Sequence, residues 1–523
     1  MQYVSDHAYW WGESGLSIVP GAIAQSAAFF ESRTLDVLRS LHGTLPLPSV
    51  AADGRVHVLN AQIQGAGAYF SSIDSQPHAV HPYSNELAVL VLNIDAFRPG
   101  TAAYDETLAH ELQHMAHWAV NPANDTWFDE GVSEVIASAV RGTPGRGSAF
   151  GRRPDRSLLS WTDEPGVIQA QYDGSYLFAQ YLADRYGLDM LGEMIRSGRA
   201  PVGINVALAS RGFTERFDDL FADWTVANVK DARSTERASR YGYAEADPDV
   251  RFAGQLGPAE GWTDTVSQYG TDYLDIQPEV TAVEILGVST VKIAPVEADN
   301  ADLVWWSYRA DSLDSTLTRE VDLRQASAAV LKFRTWFQTE QHYDHGYVAV
   351  SVDKGMTWRA LDGIYTDVGN PTGNAYGPSF TGRSGGDRSP VWVNERIDLS
   401  PFVGREILVR FEYVTDQGTS LSGWLIDDVE IEGTDGSARD GGATAEWMPD
   451  GFAQTTVGIP TRFLVQVIYV EGGQVFVEQH WFSGGEAMTI PLRSADEGRR
   501  VLTVSGVTPA TVESMAYSVH ALP

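Results

Sequence analysis

The spacing of apolar residues changes near residue 235, and this change limits the folds open to the chain more than any other feature. Before it, apolar residues recur at helical spacing, with strand-like runs between them. After it, short runs alternate apolar and polar residues and end in turn signals such as Asp353-Lys354-Gly355. The sequence therefore predicts an α+β half followed by an all-β half of sandwich or jelly-roll domains.

The 523 residues suffice for several buried cores. We expect helices at Gln25–Leu41, Ala102–Val120, Trp127–Val140, Tyr172–Tyr186 and Phe217–Val229, and early strands at Arg55–Asn60 and Leu87–Ile94. We expect domains at 1–234, 235–299, 300–433 and 443–523, with the glycine-rich stretch Gly433–Gly442 as a linker. Segments 235–299 and 443–523 are either separate or two parts of one domain that the jelly roll interrupts.

Charge and cysteine content exclude several classes of function. The chain has 37 Lys and Arg against 69 Asp and Glu, a net charge of -32. A polyanion repels phosphate backbones and anionic lipid, which disfavours binding to nucleic acid or to membrane surfaces. The absence of cysteine excludes disulfides, thiolate zinc sites and cysteine catalysis. No apolar run is long enough to span a membrane, and Met1–His7 lacks the basic and apolar segments of a signal peptide.

The strongest chemical signal is the segment His110-Glu111-Leu112-Gln113-His114. Histidines at i and i+4 lie on one face of a helix, about 6 Å apart along its axis, so both can reach one ion. Glu111 is turned toward the open side of that ion, where it can take a proton from a water that zinc makes more acidic. For the motif alone, an ordinary helix with two surface histidines is the alternative.

The segment Trp127–Glu134 supplies what such a site still lacks. A catalytic zinc needs a third protein ligand and an open fourth position, and Glu130 on a second helix can be that ligand. Glu134 lies one turn further on the same face, where it can accept the other ring N–H of a ligand histidine.

This set of residues resembles the gluzincin metallopeptidases, whose His-Glu-x-x-His pattern precedes a helix with a glutamate ligand, often Trp-x-x-Glu-Gly. The likeness is to bacterial secreted peptidases of the hyicolysin and peptidase MA-like kind, and it covers residues 5–230. By position it implies that His110, His114 and Glu130 bind zinc and that Glu111 is the general base. The metzincin pattern is excluded, because Val120 and His117 stand where it needs His and Gly. His117 is expected at the surface or behind the ligands.

Two further segments bear on catalysis and substrate binding at such a site. The segment Gln171–Phe178 resembles the Tyr-Gly-x-Ser-Tyr stretch of the MA-like families, which favours Tyr172 as the group that stabilises the oxyanion and keeps Tyr176 in reserve. The alternative is that either tyrosine packs its helix against the core. Segment Gly65–Phe70 is either an edge strand that binds substrate backbone or an ordinary turn.

The β-rich half carries a second resemblance. Trp306-Ser307-Tyr308-Arg309, the run Val350–Trp358, Gly382–Gly386 and Gly423–Val429 follow in order between residues 305 and 431. They are similar to the jelly-roll module of immune inhibitor A peptidases, which is like MAM and lectin-like sandwiches. Such sandwiches often hold a calcium ion with carboxylates near strand ends. Asp427 and Asp428 are candidate calcium ligands, with Asp311 or Asp344, and solvated strand-end acids are the alternative.

Together the resemblances imply a secreted zinc-dependent peptidase, an endopeptidase with Glu111 as general base. Its substrates would be proteins or peptides, and its β domains would contact cell-surface glycans or proteins. The alternative is an extracellular binding or adhesion protein with a vestigial metal site. The intact set of His110, Glu111, His114 and Glu130 favours the enzyme. An aminopeptidase is less favoured, because the sequence has no Gly-Ala-Met-Glu-Asn-type segment.

Overall fold

The computed structural model describes residues 1–48, 50, 53–123, 125–142, 147–162, 166–230, 239–386, 388–433, 439–440, 447–472, 474–493 and 498–523. The predicted linker at 433–442 lies mostly outside these residues. The prediction of helices in the first half and an all-β second half is confirmed for the described residues.

A five-stranded sheet opens the first half. Its order is β1-β2-β3-β5-β4, with strands β1 (Tyr3–Val4), β2 (Ala8–Gly12), β3 (Val56–Ala61), β4 (Ala68–Phe70) and β5 (Val89–Asn93). The central strands β2, β3 and β5 are parallel, whereas β1 and β4 run antiparallel at the two edges. Strand β5 is buried along its whole length, as expected of a parallel strand covered on both faces.

Helices cover this sheet and form the bulk of the first half. They are α1 (Ala22–Phe29), α2 (Leu35–His42), α3 (Ala102–Val120), α4 (Thr126–Arg141), α5 (Ser148–Gly151), α6 (Ile168–Tyr186), α7 (Leu188–Arg196), α8 (Val202–Ser210) and α9 (Phe217–Ala227). The segment predicted as a helix over Gln25–Leu41 is helical throughout, but it is not one continuous α-helix. A π-helical segment, Phe30–Thr34, separates α1 from α2 and buries Phe30 against Trp10.

In the described part of the second half, the regular elements are strands and one short 3-10 turn at Ser400–Phe402. The strands are β6 (Gly254–Leu256), β7 (Gly261–Val266), β8 (Thr271–Ile276), β9 (Ala282–Gly287), β10 (Thr290–Lys292), β11 (Leu303–Trp306), β12 (Asp314–Asp322), β13 (Val330–Gln338), β14 (His345–Ser351), β15 (Arg359–Ala360), β16 (Val393–Asp398), β17 (Glu406–Val414), β18 (Gly423–Glu432), β19 (Arg439–Asp440), β20 (Met448–Asp450), β21 (Ala453–Thr456), β22 (Gly458–Pro460), β23 (Phe463–Glu471), β24 (Gln474–Phe482), β25 (Met488–Pro491), β26 (Arg499–Gly506) and β27 (Met515–Leu522).

Two sandwiches arise from these strands. The central sandwich packs the sheet β16-β13-β18-β11-β21, with β19 beside β18, on the sheet β15-β14-β17-β12-β20. The flanking sandwich packs β24-β23-β26-β8-β6 on β25-β9-β27-β7. The flanking sandwich thus draws its strands from 254–287 and 463–522, on either side of the central sandwich in sequence.

The core of the helical half continues into the flanking sandwich. Tyr273 of β8 and Ile468 of β23 belong to the same buried apolar cluster as the helices. In the same region, Gln466 Oε1 accepts a hydrogen bond of 2.6 Å from Thr225 Oγ1 of α9. No helix among the described residues combines the length and the apolar character needed to cross a bilayer.

Candidate active site

Helix α3 carries both histidines of the motif. It begins after Thr101, whose Oγ1 accepts the backbone N–H of Tyr104 at 3.3 Å, a normal N-cap contact. The apolar face of α3 is buried, and this fixes the rotation of the helix. His110 and His114 therefore point to the same place, and their Nε2 atoms lie 3.0 Å apart.

Helix α4 packs against α3 and brings Glu130 to the two rings. Its Oε2 atom lies 3.2 Å from His110 Nε2 and 3.5 Å from His114 Nε2. The next residue, Gly131, faces α6 so closely that a Cβ there would lie 2.5 Å from the carbonyl oxygen of Ser175. Glycine after the glutamate therefore lets α4 sit deep enough for Glu130 to reach the histidines.

The three side chains fit a zinc ion. Tetrahedral zinc with bonds of about 2.0–2.1 Å keeps its ligand atoms about 3.3 Å apart. The separations of 3.0, 3.2 and 3.5 Å match this value. Imidazole nitrogen and carboxylate oxygen are also donors that zinc accepts. The three residues predicted as ligands thus form one group of candidate metal ligands.

A carboxylate lies on the far side of each ring, within hydrogen-bond distance for His114 but not for His110. Glu134 Oε1 lies 3.6 Å from His110 Nδ1, and Asp129 Oδ2 lies 2.8 Å from His114 Nδ1. A carboxylate at Nδ1 orients the ring so that Nε2 faces a metal ion. Sequence reasoning placed Glu134 here but missed Asp129. The available signal was an acid next to Glu130, yet only the crossing of α3 and α4 shows that it meets His114.

Asp129 also reaches a third histidine. His117 is 1% exposed, and its Nδ1 lies 2.6 Å from Asp129 Oδ1. Of the two places predicted for His117, the surface is therefore wrong, and the position behind the ligands is the one observed. Burial alone would raise the pKa of Asp129, but His114 and His117 outweigh it and hold that pKa well below its usual range.

The same balance acts on Glu130. Burial would raise its pKa, but His114 and His110 lower it to about 2. The carboxylate is therefore ionised near neutral pH, which is the form that binds a cation.

Glu111 lies between the ligand group and strand β4. It is 8% exposed, and its Oε2 accepts the backbone N–H of Phe70 at 3.0 Å. Burial raises the pKa of Glu111, although His110 and His114 act in the opposite direction. A raised pKa suits a group that must accept a proton and return it.

Of the two candidate tyrosines, Tyr172 is the one beside the ligands. Its hydroxyl donates to Glu130 Oε1 over 3.4 Å, and its ring packs edge-on against Trp161. Burial and then the nearby carboxylates raise the pKa of Tyr172, so it keeps its proton and can donate a hydrogen bond. Tyr176 is 2% exposed and belongs to the core, as its packing alternative predicts.

A cleft of two lobes runs past Glu111. The larger lobe, about 720 Å³, extends over α3 to Thr107 and Tyr176, and the smaller, about 280 Å³, extends to Tyr69 and Gln417. Strand β4, within the segment predicted as edge strand or turn, borders both lobes. It pairs with β5 on one side, and no described strand pairs with its other edge. Gln417 comes from the central sandwich, a contribution that sequence reasoning missed.

The predicted calcium ligands do not form one group. Asp427 and Asp428 lie 3.4 and 3.6 Å from Arg334 Nη1. Asp344 instead joins Glu340 and Asp416, whose carboxylate oxygens approach within 4.8 Å of one another. Carboxylates gathered in this way do not by themselves indicate a cation, so calcium stays a prediction.

Comparison with known proteins concerns mainly the β-rich half. Residues 263–456 match the model of the family described as immune inhibitor A-like, MAM domain. This supports the predicted immune inhibitor A-like module. The matched range is wider than the predicted 300–433 and includes strands β8 and β9 of the flanking sandwich.

Three curated proteins are similar over short stretches. The pre-pro-metalloprotease PrtV of Vibrio cholerae serotype O1 is 27% identical over 141 residues, which are 27% of this chain and 14% of PrtV. Immune inhibitor A of Bacillus thuringiensis subsp. alesti is 26% identical over 151 residues, 28% of this chain and 20% of that protein. Bacillopeptidase F of Bacillus subtilis is 29% identical over 101 residues, 19% of this chain and 6% of that protein. The matches lie mostly in the MAM region, and this chain spans 20% or less of the length of each of these three proteins.

Proposed function

We propose that this chain is a zinc-dependent peptidase of the gluzincin type. The observation that carries the proposal is the convergence of His110, His114 and Glu130 within 3.5 Å of one another, with Glu111 beside them at the cleft. One relative is named a pre-pro-metalloprotease and another is named immune inhibitor A. These names agree with a protease, but they describe those proteins and not this chain.

The chain's own residues supply the parts that peptide hydrolysis needs. His110, His114 and Glu130 would hold a zinc ion, and the ion would supply a Lewis acid for the scissile carbonyl and for the attacking water. Glu111 takes a proton from the attacking water and returns it to the leaving amine. The Tyr172 hydroxyl donates a hydrogen bond to the oxyanion. The edge of β4 that no described strand pairs with, where Glu111 accepts the Phe70 N–H, binds the substrate backbone as an added strand.

The two lobes favour an endopeptidase. Glu111 lies where the lobes meet, so a substrate has room for residues on both sides of the bond to be cleaved. We further propose that the enzyme acts outside the cell and that its β domains bind proteins or glycans at cell surfaces. The MAM-type module supports this part of the proposal.

Metal analysis of the purified chain tests the ligand assignment. We expect one zinc per chain in the wild type, and less than one tenth of it in His110→Ala and His114→Ala after dialysis. His78→Ala is the matched control, because His78 is exposed and forms its ion pair with Glu86, at 2.8 Å, away from the ligand group. A folded wild type that binds no zinc would refute the proposal and favour the adhesion protein.

A further inference from the structure

The first turn of α4 is held from the other half of the molecule. A helix leaves its first backbone N–H groups without partners inside the helix, and a side-chain oxygen usually accepts one of them. At α4 the N-cap residue is Asp125, whose side chain makes no capping bond. It pairs instead with Arg199, at 2.8 Å.

Asp311 of the central sandwich takes the place of the missing cap. Its Oδ2 accepts the backbone N–H of Thr126 at 2.7 Å and the Thr126 hydroxyl at 2.6 Å. The hydroxyl oxygen of Thr126 also lies 2.9 Å from the carbonyl oxygen of Gln417. One residue at the start of α4 is therefore tied to two segments of the sandwich.

Asp311 is itself firmly placed. It is 4% exposed, and its other oxygen accepts a hydrogen bond from the Ser420 hydroxyl. Arg309 holds the same loop by donating to the carbonyl oxygens of Ser420 and Leu421, at 2.6 and 3.1 Å. Hydrogen bonds to a buried carboxylate are stronger than those at an exposed surface pair.

The anchored turn is the one that leads to the ligand. Glu130 follows Thr126 by four residues, about one turn of helix. Asp129, which orients His114, lies in the same turn, and its N–H bonds the carbonyl of Asp125 at 3.1 Å. Any shift of Thr126 along the helix axis is passed to Glu130 and Asp129, because the backbone between them is helical.

We propose that Asp311 is a positioning residue for Glu130: the central sandwich caps α4 and thereby sets the geometry of the metal ligands. This inference rests on the proposed function, since it treats Glu130 as a zinc ligand. It makes the β half a working part of the metal site, in addition to any role in binding partners.

The test uses the full chain with Asp311→Ala, Asp311→Asn and the control Asp322→Ala, an exposed aspartate that pairs with Arg324 on its own strand end. Amide hydrogen exchange over 126–134 is measured without metal, and zinc affinity by competition with a chelator. We expect faster exchange in Asp311→Ala and zinc affinity about 10–100-fold weaker. Asp311→Asn keeps an acceptor oxygen and should recover part of both. The control should match the wild type.

Each outcome decides between separate claims. Faster exchange in Asp311→Ala with wild-type zinc affinity would show a cap of purely structural importance and would overturn the positioning role. Unchanged exchange and affinity would overturn the cap as well. If Asp311→Ala does not fold, Asp311→Asn decides by the same two readings. A wild type without zinc would refute the proposed function and the positioning role together, whereas the exchange data would still report on the cap.

Discussion

At the residue scale, Tyr172 and Tyr176 lie one helical turn apart on α6 but have different surroundings. The hydroxyl of Tyr172 meets Glu130, its ring rests on Trp161, and its raised pKa keeps it a hydrogen-bond donor near neutral pH. Tyr176, one helical turn further, is a core residue. The two tyrosines therefore offer a matched pair for separating catalysis from packing.

We expect Tyr172→Phe to lower kcat for peptide hydrolysis by about 100–1000-fold, the usual cost of removing one oxyanion donor. KM should change little, because the phenyl ring keeps its contact with Trp161, whereas the lost hydrogen bond to Glu130 can lower zinc affinity. The measurement is steady-state kinetics at equal zinc content. Tyr176→Phe should keep most of the activity. The reverse ranking would assign the role to Tyr176.

At the element scale, the site depends on how closely three helices approach. Helix α4 lies against both α3 and α6, and Gly131 is the point where it meets the backbone of α6. The Trp-x-x-Glu-Gly pattern thus combines a ligand with the small residue that lets the ligand reach its place.

Gly131→Ala should therefore harm both stability and metal binding. The added Cβ would lie 2.5 Å from the Ser175 carbonyl oxygen, so α4 must move and carry Glu130 with it. We expect a loss of about 1–3 kcal/mol in the free energy of unfolding, measured by urea denaturation, and weaker zinc binding. Gly261→Ala is the control, because its nearest neighbour there is 3.8 Å away. Equal stability of the two variants would contradict the close approach.

The elements themselves were predictable to different degrees. Helix α3 has its predicted bounds, because a capping threonine and a regular apolar spacing mark its start and course. The break in Gln25–Leu41 was not predictable, since one π-helical segment keeps the chain on a helical path and disturbs the spacing only slightly. Histidines at i and i+4 meet by helix geometry alone, whereas Asp129 needs a second helix to reach His114.

At the scale of the whole molecule, the apolar core of the helical half includes residues of the flanking sandwich. Tyr273 and Ile468 belong to this core, and Gln466 bonds both Thr225 and the carbonyl oxygen of Ala222. Asp311 is separated from Thr126 by 185 residues and bonds it directly. Contacts between residues so far apart in the chain leave no local pattern in the sequence. The predicted boundary at 234 therefore gave no indication of them.

A chain of residues 1–234 should therefore fold poorly. Without the flanking sandwich, the apolar surface that Tyr273 and Ile468 cover is exposed to water. Thr225 and the carbonyl of Ala222 also lose their hydrogen bonds to Gln466. We expect rapid digestion by trypsin and no cooperative thermal transition, with the full chain as control. A protease-resistant fragment with the melting temperature of the full chain would show that the helical half is self-sufficient.

The central claim concerns the function of the whole molecule, and hydrolysis of casein by the wild type and Glu111→Gln at equal zinc content tests it most directly. The amide keeps the size of the side chain but cannot accept the proton, so we predict cleavage by the wild type and a rate about 100–10,000-fold lower in the variant. Glu193→Gln, on α7, should match the wild type, because the Glu193 carboxylate contacts Arg211 and Ser210 and does not line the cleft. Wild-type cleavage by zinc-loaded Glu111→Gln, or none by the zinc-loaded wild type, would contradict the account.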